Sequence, residues 1–165
     1  MAWMSVNAFK RRFKIGKAYE DEKVDYEAFH TLKTGDGELF FEMKKRYVRL
    51  FSRPLDSAVP FDMSDAEAMI AALEKKIEKP VPQKGHHGML KKNEMGLRIY
   101  GQFNDAHDIA IVVLEEPGGR AAIRWSAAGL PHLREKEVED LIRSLSRFVH
   151  EKKKAGKPCK ECRKL

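Results

Sequence analysis

The chain has 165 residues, with 32 Lys and Arg against 25 Asp and Glu, six His, two Cys and 42% hydrophobic residues. That is enough apolar material for one domain, or for two small units sharing a core, and too much for wholesale disorder. No run approaches the roughly 18 apolar residues of a membrane span, residues 1–10 lack the apolar stretch of a secretory signal, and both cysteines fall in the last seven residues, so no disulfide framework is expected.

The expectation is a soluble intracellular protein, cytoplasmic or associated with the nucleoid or nucleus, and not a membrane protein. Its net charge of +7 makes a polyanion the first partner to test. The charge is unevenly spread. Residues 1–19 carry Lys10, Arg11, Arg12, Lys14 and Lys17 and no acid, and residues 151–165 carry seven cations against Glu151 and Glu161. Each end is therefore +5, and residues 20–150 sum to −3.

In chain order, Phe13–Ile15 and Val24–Tyr26 alternate apolar and charged residues, and the runs Glu38–Lys44 and Tyr47–Arg53 are aromatic and β-branched. These read as four short strands. Thr34-Gly35-Asp36-Gly37 is a turn signal before the third, and Lys44-Lys45-Arg46 a charged turn before the fourth. A helix follows. Ser64-Asp65-Ala66-Glu67 fits a capping box, and Ala66, Met69, Ile70, Leu73 and Ile77 form one apolar stripe that Pro80 and Pro82 end.

Residues 80–96, rich in Pro, Gly and Lys, read as a linker. Strand character then restarts at Leu97–Tyr100. Ile109–Leu114 is apolar throughout, as for a strand covered on both faces, and Arg120–Ser126 alternates after the turn Pro117-Gly118-Gly119. A second helix carries Val138, Leu141, Ile142, Leu145, Phe148 and Val149 at helical spacing. From Lys152 the chain reads as a basic arm, with Gly156 and Pro158 opposed to any helix. Such an arm adds salt-sensitive attraction to phosphate or simply aids solubility.

Strands then one helix, given twice, predict an α+β fold of two similar units, each an antiparallel meander followed by an amphipathic helix. The units are 1–79 and 97–151, joined by 80–96 and followed by the tail 152–165. Each helix would cover one face of its sheet and leave the other available. On that free face, alternation places Lys45, Tyr47, Arg49, Phe51 and Arg53 together on one strand, Arg98 and Tyr100 on another, and Arg120 and Arg124 on a third. Rings that stack on unpaired bases, set among cations that hold phosphates, are the chemistry of a single-strand platform. The helices suit duplex DNA poorly, because their exposed faces include Asp65, Glu67, Glu74, Glu135, Glu137 and Glu139.

The repeated strands-and-helix pattern over Gly37–Lys79 and Gly96–Glu151 resembles the Pur-repeat, positive cofactor four and Whirly group of single-stranded nucleic-acid binders. That resemblance implies a curved sheet that binds single strands, often through dimers. The N-terminal lead and the Cys-bearing tail lie outside the pattern, and no residue is carried over.

Two constellations could carry other chemistry. Cys159-Lys160-Glu161-Cys162 is half of a zinc arrangement; His86, His87 and His150 are the available further ligands, and an inert tail is the reading preferred. Asn104-Asp105-Ala106-His107-Asp108 gathers ligand types of a metal-dependent nuclease or phosphodiesterase, with Asp105, His107 and Asp108 as its residues, although turn formers explain it equally well. His30 and His132 stand alone. The sequence thus predicts a sequence-tolerant binder of single-stranded DNA or RNA, with no catalytic residue and no cofactor. A protein-interaction or assembly subunit is the first alternative, and the nuclease the second.

Overall fold

The computed structural model describes residues 28–35, 37–43, 47–53, 59–77, 89–126 and 130–156. The fold is α+β. In chain order its elements are β1 (Ala28–Thr34), β2 (Gly37–Met43), β3 (Val48–Arg53), α1 (Met63–Glu74), β4 (Lys91–Lys92), β5 (Arg98–Asn104), β6 (Ala110–Glu115), β7 (Ala121–Trp125), β8 (His132–Leu133) and α2 (Glu135–Gly156). They form two antiparallel four-stranded sheets, in the orders β1-β2-β3-β8 and β4-β5-β6-β7. β8 comes from the second half but completes the first sheet, so the two units interlock.

The predicted turn at 34–37 joins β1 to β2, with Thr34 opposite Gly37. The strand before it is Ala28–Thr34; Phe13–Ile15 and Val24–Tyr26 lie outside the described residues. β1 escapes a periodic reading because its register slips between Ala28 and His30, which breaks the alternation that marks a strand. In β2 and β3 the alternation is regular. Leu39, Phe41, Val48 and Leu50 point into the core, while Glu38, Phe40, Glu42, Arg49, Phe51 and Arg53 share the outer face.

Helix α1 starts two residues earlier than the expected box. Asp62 is its N-cap, and its carboxylate accepts from the Asp65 N–H at 3.0 Å while the Asp65 carboxylate accepts from the Asp62 N–H at 3.1 Å. Ser64, the expected cap, donates its hydroxyl to Asp62 Oδ1 at 2.8 Å. The start is set by tertiary contact: Phe61 exchanges backbone hydrogen bonds with Ala121 at 2.7 and 2.9 Å, and the helix begins immediately after this anchor. The helix ends at Glu74, well before Pro80. Ala66, Met69 and Leu73 are buried; Ile77 lies beyond the last turn but still packs against the core.

Part of the expected linker is structured. β4 pairs with β5, and the Asn93 side chain closes the connection by accepting from the N–H groups of Met95 and Leu97. β6 is covered on both faces along part of its length: Ile111 and Val113 lie in the core, and on the opposite face Leu114 is buried and Val112 half-buried.

All six predicted stripe residues of α2 are buried. The helix carries Glu135 and Glu137 in its first turn and Lys153 and Lys154 in its last, the arrangement that complements its dipole. It continues through Lys152–Gly156, where a free arm was expected. Lys152 is held at 3.2 Å by Glu115 and Lys153 at 3.7 Å by Glu67, so the first cations of that arm belong to the body. A single core joins both sheets and both helices. Phe148 sits at its centre, edge-on to Phe61 and to Tyr100 with ring centroids 5.8 and 5.1 Å away. Among the described residues, no helix is long and apolar enough to cross a membrane.

Candidate nucleic-acid interface

On the first sheet the predicted face assembles, but with partners that alternation within one strand could not reveal. Register puts Glu42 opposite Arg49 and Glu38 opposite Arg53. The Arg49 guanidinium donates from Nε and Nη2 to one Glu42 oxygen at 3.2 and 3.0 Å, and the two side chains are only 14% and 1% exposed. Glu38 lies between Arg53 at 4.0 Å and Lys33 at 3.7 Å. The Phe51 ring, 1% exposed, lies 5.8 Å from Phe40, whose half-buried ring is overlain by the Arg53 guanidinium at 5.7 Å. Phe40 is therefore the more accessible ring here; Arg53 is 29% exposed but its Nε and Nη2 are buried, and Phe51 and Arg49 are withdrawn from solvent. Lys45 lies outside the described residues.

On the second sheet the expected platform divides. The β5–β6 register shifts between Ile99 and Gly101, so Ile99 stands opposite Leu114 but Gly101 opposite Val113. The extra residue is Tyr100, and the bulge sends its ring into the core, 2% exposed against Phe148. Burial, with the Glu115 carboxylate nearby, pushes its phenol pKa up to about 12. Tyr100 is thus a packing residue. Arg98 falls on the same, helix-covered side, with Nε 3.8 Å from Glu115. Arg124 stands opposite Val112 on the outer face and is held by Glu116 at 2.7 Å. Arg120 donates to the Pro60 carbonyl at 2.8 Å. Arg98 and Arg124 remain about half-exposed, at 48% and 49%, and exposed pairs of this kind are worth at most about 1 kcal/mol, so a phosphate can compete for either cation.

Three rings meet where the sheets adjoin. Tyr47, just before β3, lies 4.6 Å from His132 of β8, and His132 lies 4.8 Å from His107 of the β5–β6 turn, nearly perpendicular to it. Asp105 holds this arrangement. Its Oδ1 accepts from the N–H groups of His107 and Ile109 at 2.9 and 2.7 Å, and its Oδ2 from the His132 N–H at 2.8 Å. Burial lowers the pKa of His132, while Nδ1 lies 2.7 Å from the Leu130 carbonyl.

The proposed nuclease constellation is arranged differently. Asp105 is committed to three backbone donors, and Asp108, with φ of 64°, accepts from its own neighbour Asn104. No group of three or more His, Cys, Asp or Glu side chains that could hold a metal comes together among the described residues. Cys159 and Cys162 lie outside them. His30 is packed, its ring stacked 5.5 Å from Phe41, with its pKa lowered by burial.

Sequence reasoning passed over Phe40 and His132 as site residues. The alternation Glu38-Phe40-Glu42 carried a signal for the first once β2 was aligned against β3. Nothing local could have joined His132 to His107, since only the tertiary fold brings them together. No protein-family model, curated protein or solved structure matches the chain.

Proposed function

We propose that this chain binds single-stranded DNA or RNA through the outer face of its first sheet and the adjoining ring cluster. The observation that carries the reading is the ring cluster of Tyr47, His132 and His107 beside the first sheet, with Phe40 beneath Arg53 further along the same face. Rings of this kind stack on unpaired bases at roughly 1–3 kcal/mol per base without regard to sequence. Arg124 on the second sheet and the basic chain ends supply phosphate attraction. Tyr100 is a packing residue of the core and Phe51 a buried ring on the outer face, and the reading assigns the chain no reaction.

The test is fluorescence anisotropy with labelled oligothymidylate and oligouridylate across a salt series. Three to four phosphate contacts give a log–log salt slope of about −2 to −3. Phe40→Leu combined with Tyr47→Ala should weaken binding at least about tenfold while keeping the slope, because stacking is lost and charge is not. Unchanged affinity in that variant, or no binding by the unaltered chain, overturns the proposal.

One observation favours a second reading, an assembly subunit. Met89 and Met95, at 96% and 77% exposure, flank the edge strand β4. In that case light scattering would show an oligomer that survives nuclease treatment and is lost in Met89→Lys with Met95→Lys.

A further inference from the structure

His107 and His132 are drawn together by the fold, and each has a defined setting. The Leu130 carbonyl fixes the proton of His132 on Nδ1, so Nε2 is an acceptor in the neutral ring and becomes a second donor only when the ring is charged. His107 is exposed beside it. The charged and titratable groups around the pair are few. From β3 come Tyr47, against His132, and Arg49, opposite it in register and bound to Glu42. From the turn come Asp105, whose oxygens are turned to three backbone N–H groups, and Asp108, held by Asn104. Arg134 follows β8 and is exposed.

We infer that this cluster is a phosphodiester-binding point, at which His132, packed between Tyr47 and His107, takes up a proton as a single strand binds. The inference rests on the proposed single-strand binding and adds a proton linkage to it. Two neutral imidazoles tolerate contact with their centroids 4.8 Å apart, whereas two imidazolium rings at that spacing repel each other. Burial, with lesser contributions from His107 and Arg49, disfavours charge on His132 in the free protein and outweighs the Leu130 carbonyl and Asp105, which favour it. A phosphate seated against the pair reverses that balance: its negative charge favours the charged form of His132, whose protonated ring gains a charge-assisted hydrogen bond to it. Tyr47 offers its ring to the neighbouring base. Binding and protonation are then linked, and affinity rises as pH falls, by up to about tenfold per pH unit for each proton taken up. Lys and Arg stay charged throughout this window, so the lysines and arginines of the chain ends cannot produce the same dependence.

The experiment follows the full chain binding rhodamine-labelled oligothymidylate at constant ionic strength, from about pH 8 down to about pH 6, with circular dichroism at each pH to confirm folding. The unaltered chain should gain at least about fivefold in affinity over that range. His107→Gln with His132→Gln should flatten the profile, although His30, His86, His87 and His150 remain in that variant. A methylphosphonate oligonucleotide, which carries bases without backbone charge, should show a flat profile on the unaltered chain. The inference is overturned if the double variant keeps the full pH dependence, or if the uncharged oligonucleotide shows it too. Binding that does not change with pH in the unaltered chain sinks the inference and leaves the single-strand reading standing. Absence of binding at every pH sinks both.

Discussion

Gly101 is where the second helix rests on the second sheet, and replacing it tests the account of the bulge directly. A Cβ at position 101 would overlap Ser144 Oγ and lie 2.6 Å from Ser144 Cβ and 3.3 Å from its Cα. Rotating the serine hydroxyl removes the first conflict only. The second involves a Cβ fixed to the backbone of α2, so the helix or the strand must move by about 1 Å. Overpacking of this kind typically costs about 1–3 kcal/mol, and the rigidity of both partners puts Gly101→Ala at the upper end. The loss of unfolded-chain freedom when glycine becomes alanine offsets about 0.4–1 kcal/mol, leaving a net destabilisation of about 2 kcal/mol.

The decisive measurement is a double-mutant cycle by urea unfolding followed by circular dichroism. Ser144→Gly alone should cost about 1 kcal/mol as a glycine within a helix. Combined with Gly101→Ala it removes both the Oγ and the Cβ that conflict, so the double variant should be more stable than Gly101→Ala alone. Independent effects would instead sum to about 3 kcal/mol. Additive losses, or a Gly101→Ala protein as stable as the parent, would refute the close approach of strand and helix.

The remaining predictions probe the groups that hold the faces in place. Glu42→Ala removes the two charge-assisted hydrogen bonds that the Arg49 guanidinium makes to one Glu42 oxygen and should cost about 1–3 kcal/mol, recovered in part by Glu42→Leu with Arg49→Met; thermal melts check both. Asp105→Asn keeps an oxygen for the His107 and Ile109 N–H groups but turns an NH2 toward the His132 N–H, so destabilisation of about 1–3 kcal/mol and faster amide exchange at His132 are expected. Asp62→Ala should cost about 1 kcal/mol and Ser64→Ala only a few tenths, the reverse of what a Ser64 cap would give. The Asp62 carboxyl is held below its usual pKa by the Asp65 N–H and the Ser64 hydroxyl. Its contribution is therefore present above the ordinary carboxylate pKa and is lost as pH falls through the lowered one, and Asp62→Ala should flatten that acid limb of a stability–pH curve.

Helix α2 was legible because one period decides it. Six apolar residues at helical spacing bury one face whatever lies beneath them, and all six are buried. The α+β alternation and the turn at 34–37 were legible for the same local reason. Strand β1 and the face of Tyr100 were not, because a bulge sits in each: one extra residue moves every following side chain to the other face, and a single strand carries no mark of it. In β5 the cause is tertiary. The register shift brings Gly101 under Ser144, where no side chain fits, and frees Tyr100 to fill the space beside Phe148. The cap of α1 was ambiguous in a milder way: Asp62-x-x-Asp65 and Ser64-x-x-Glu67 both fit the pattern, and the pairing of Phe61 with Ala121 chooses between them.

Charge was misread where register was ignored. Counting Arg49, Arg53 and Arg124 as a basic face treats each strand as solitary, but hydrogen bonding to the next strand sets Glu42 and Glu38 beside the first two, and Glu116 holds the third. The body is consequently a poor source of long-range attraction, in keeping with the −3 carried by residues 20–150, while residues 1–19 at +5 and residues 157–165, with four cations against Glu161, are a better one. In the proposed single-strand binder, attraction and grip are therefore different properties of different segments. Screening weakens the first steeply with salt, because it acts between solvated charges over distances comparable with the Debye length. The second, on the proposed reading, comes from ring contact at Phe40 and Tyr47 and from the His132 imidazole. For a binder organised this way, salt and pH act on separate parts of the molecule, and two families of variants would move one response without the other.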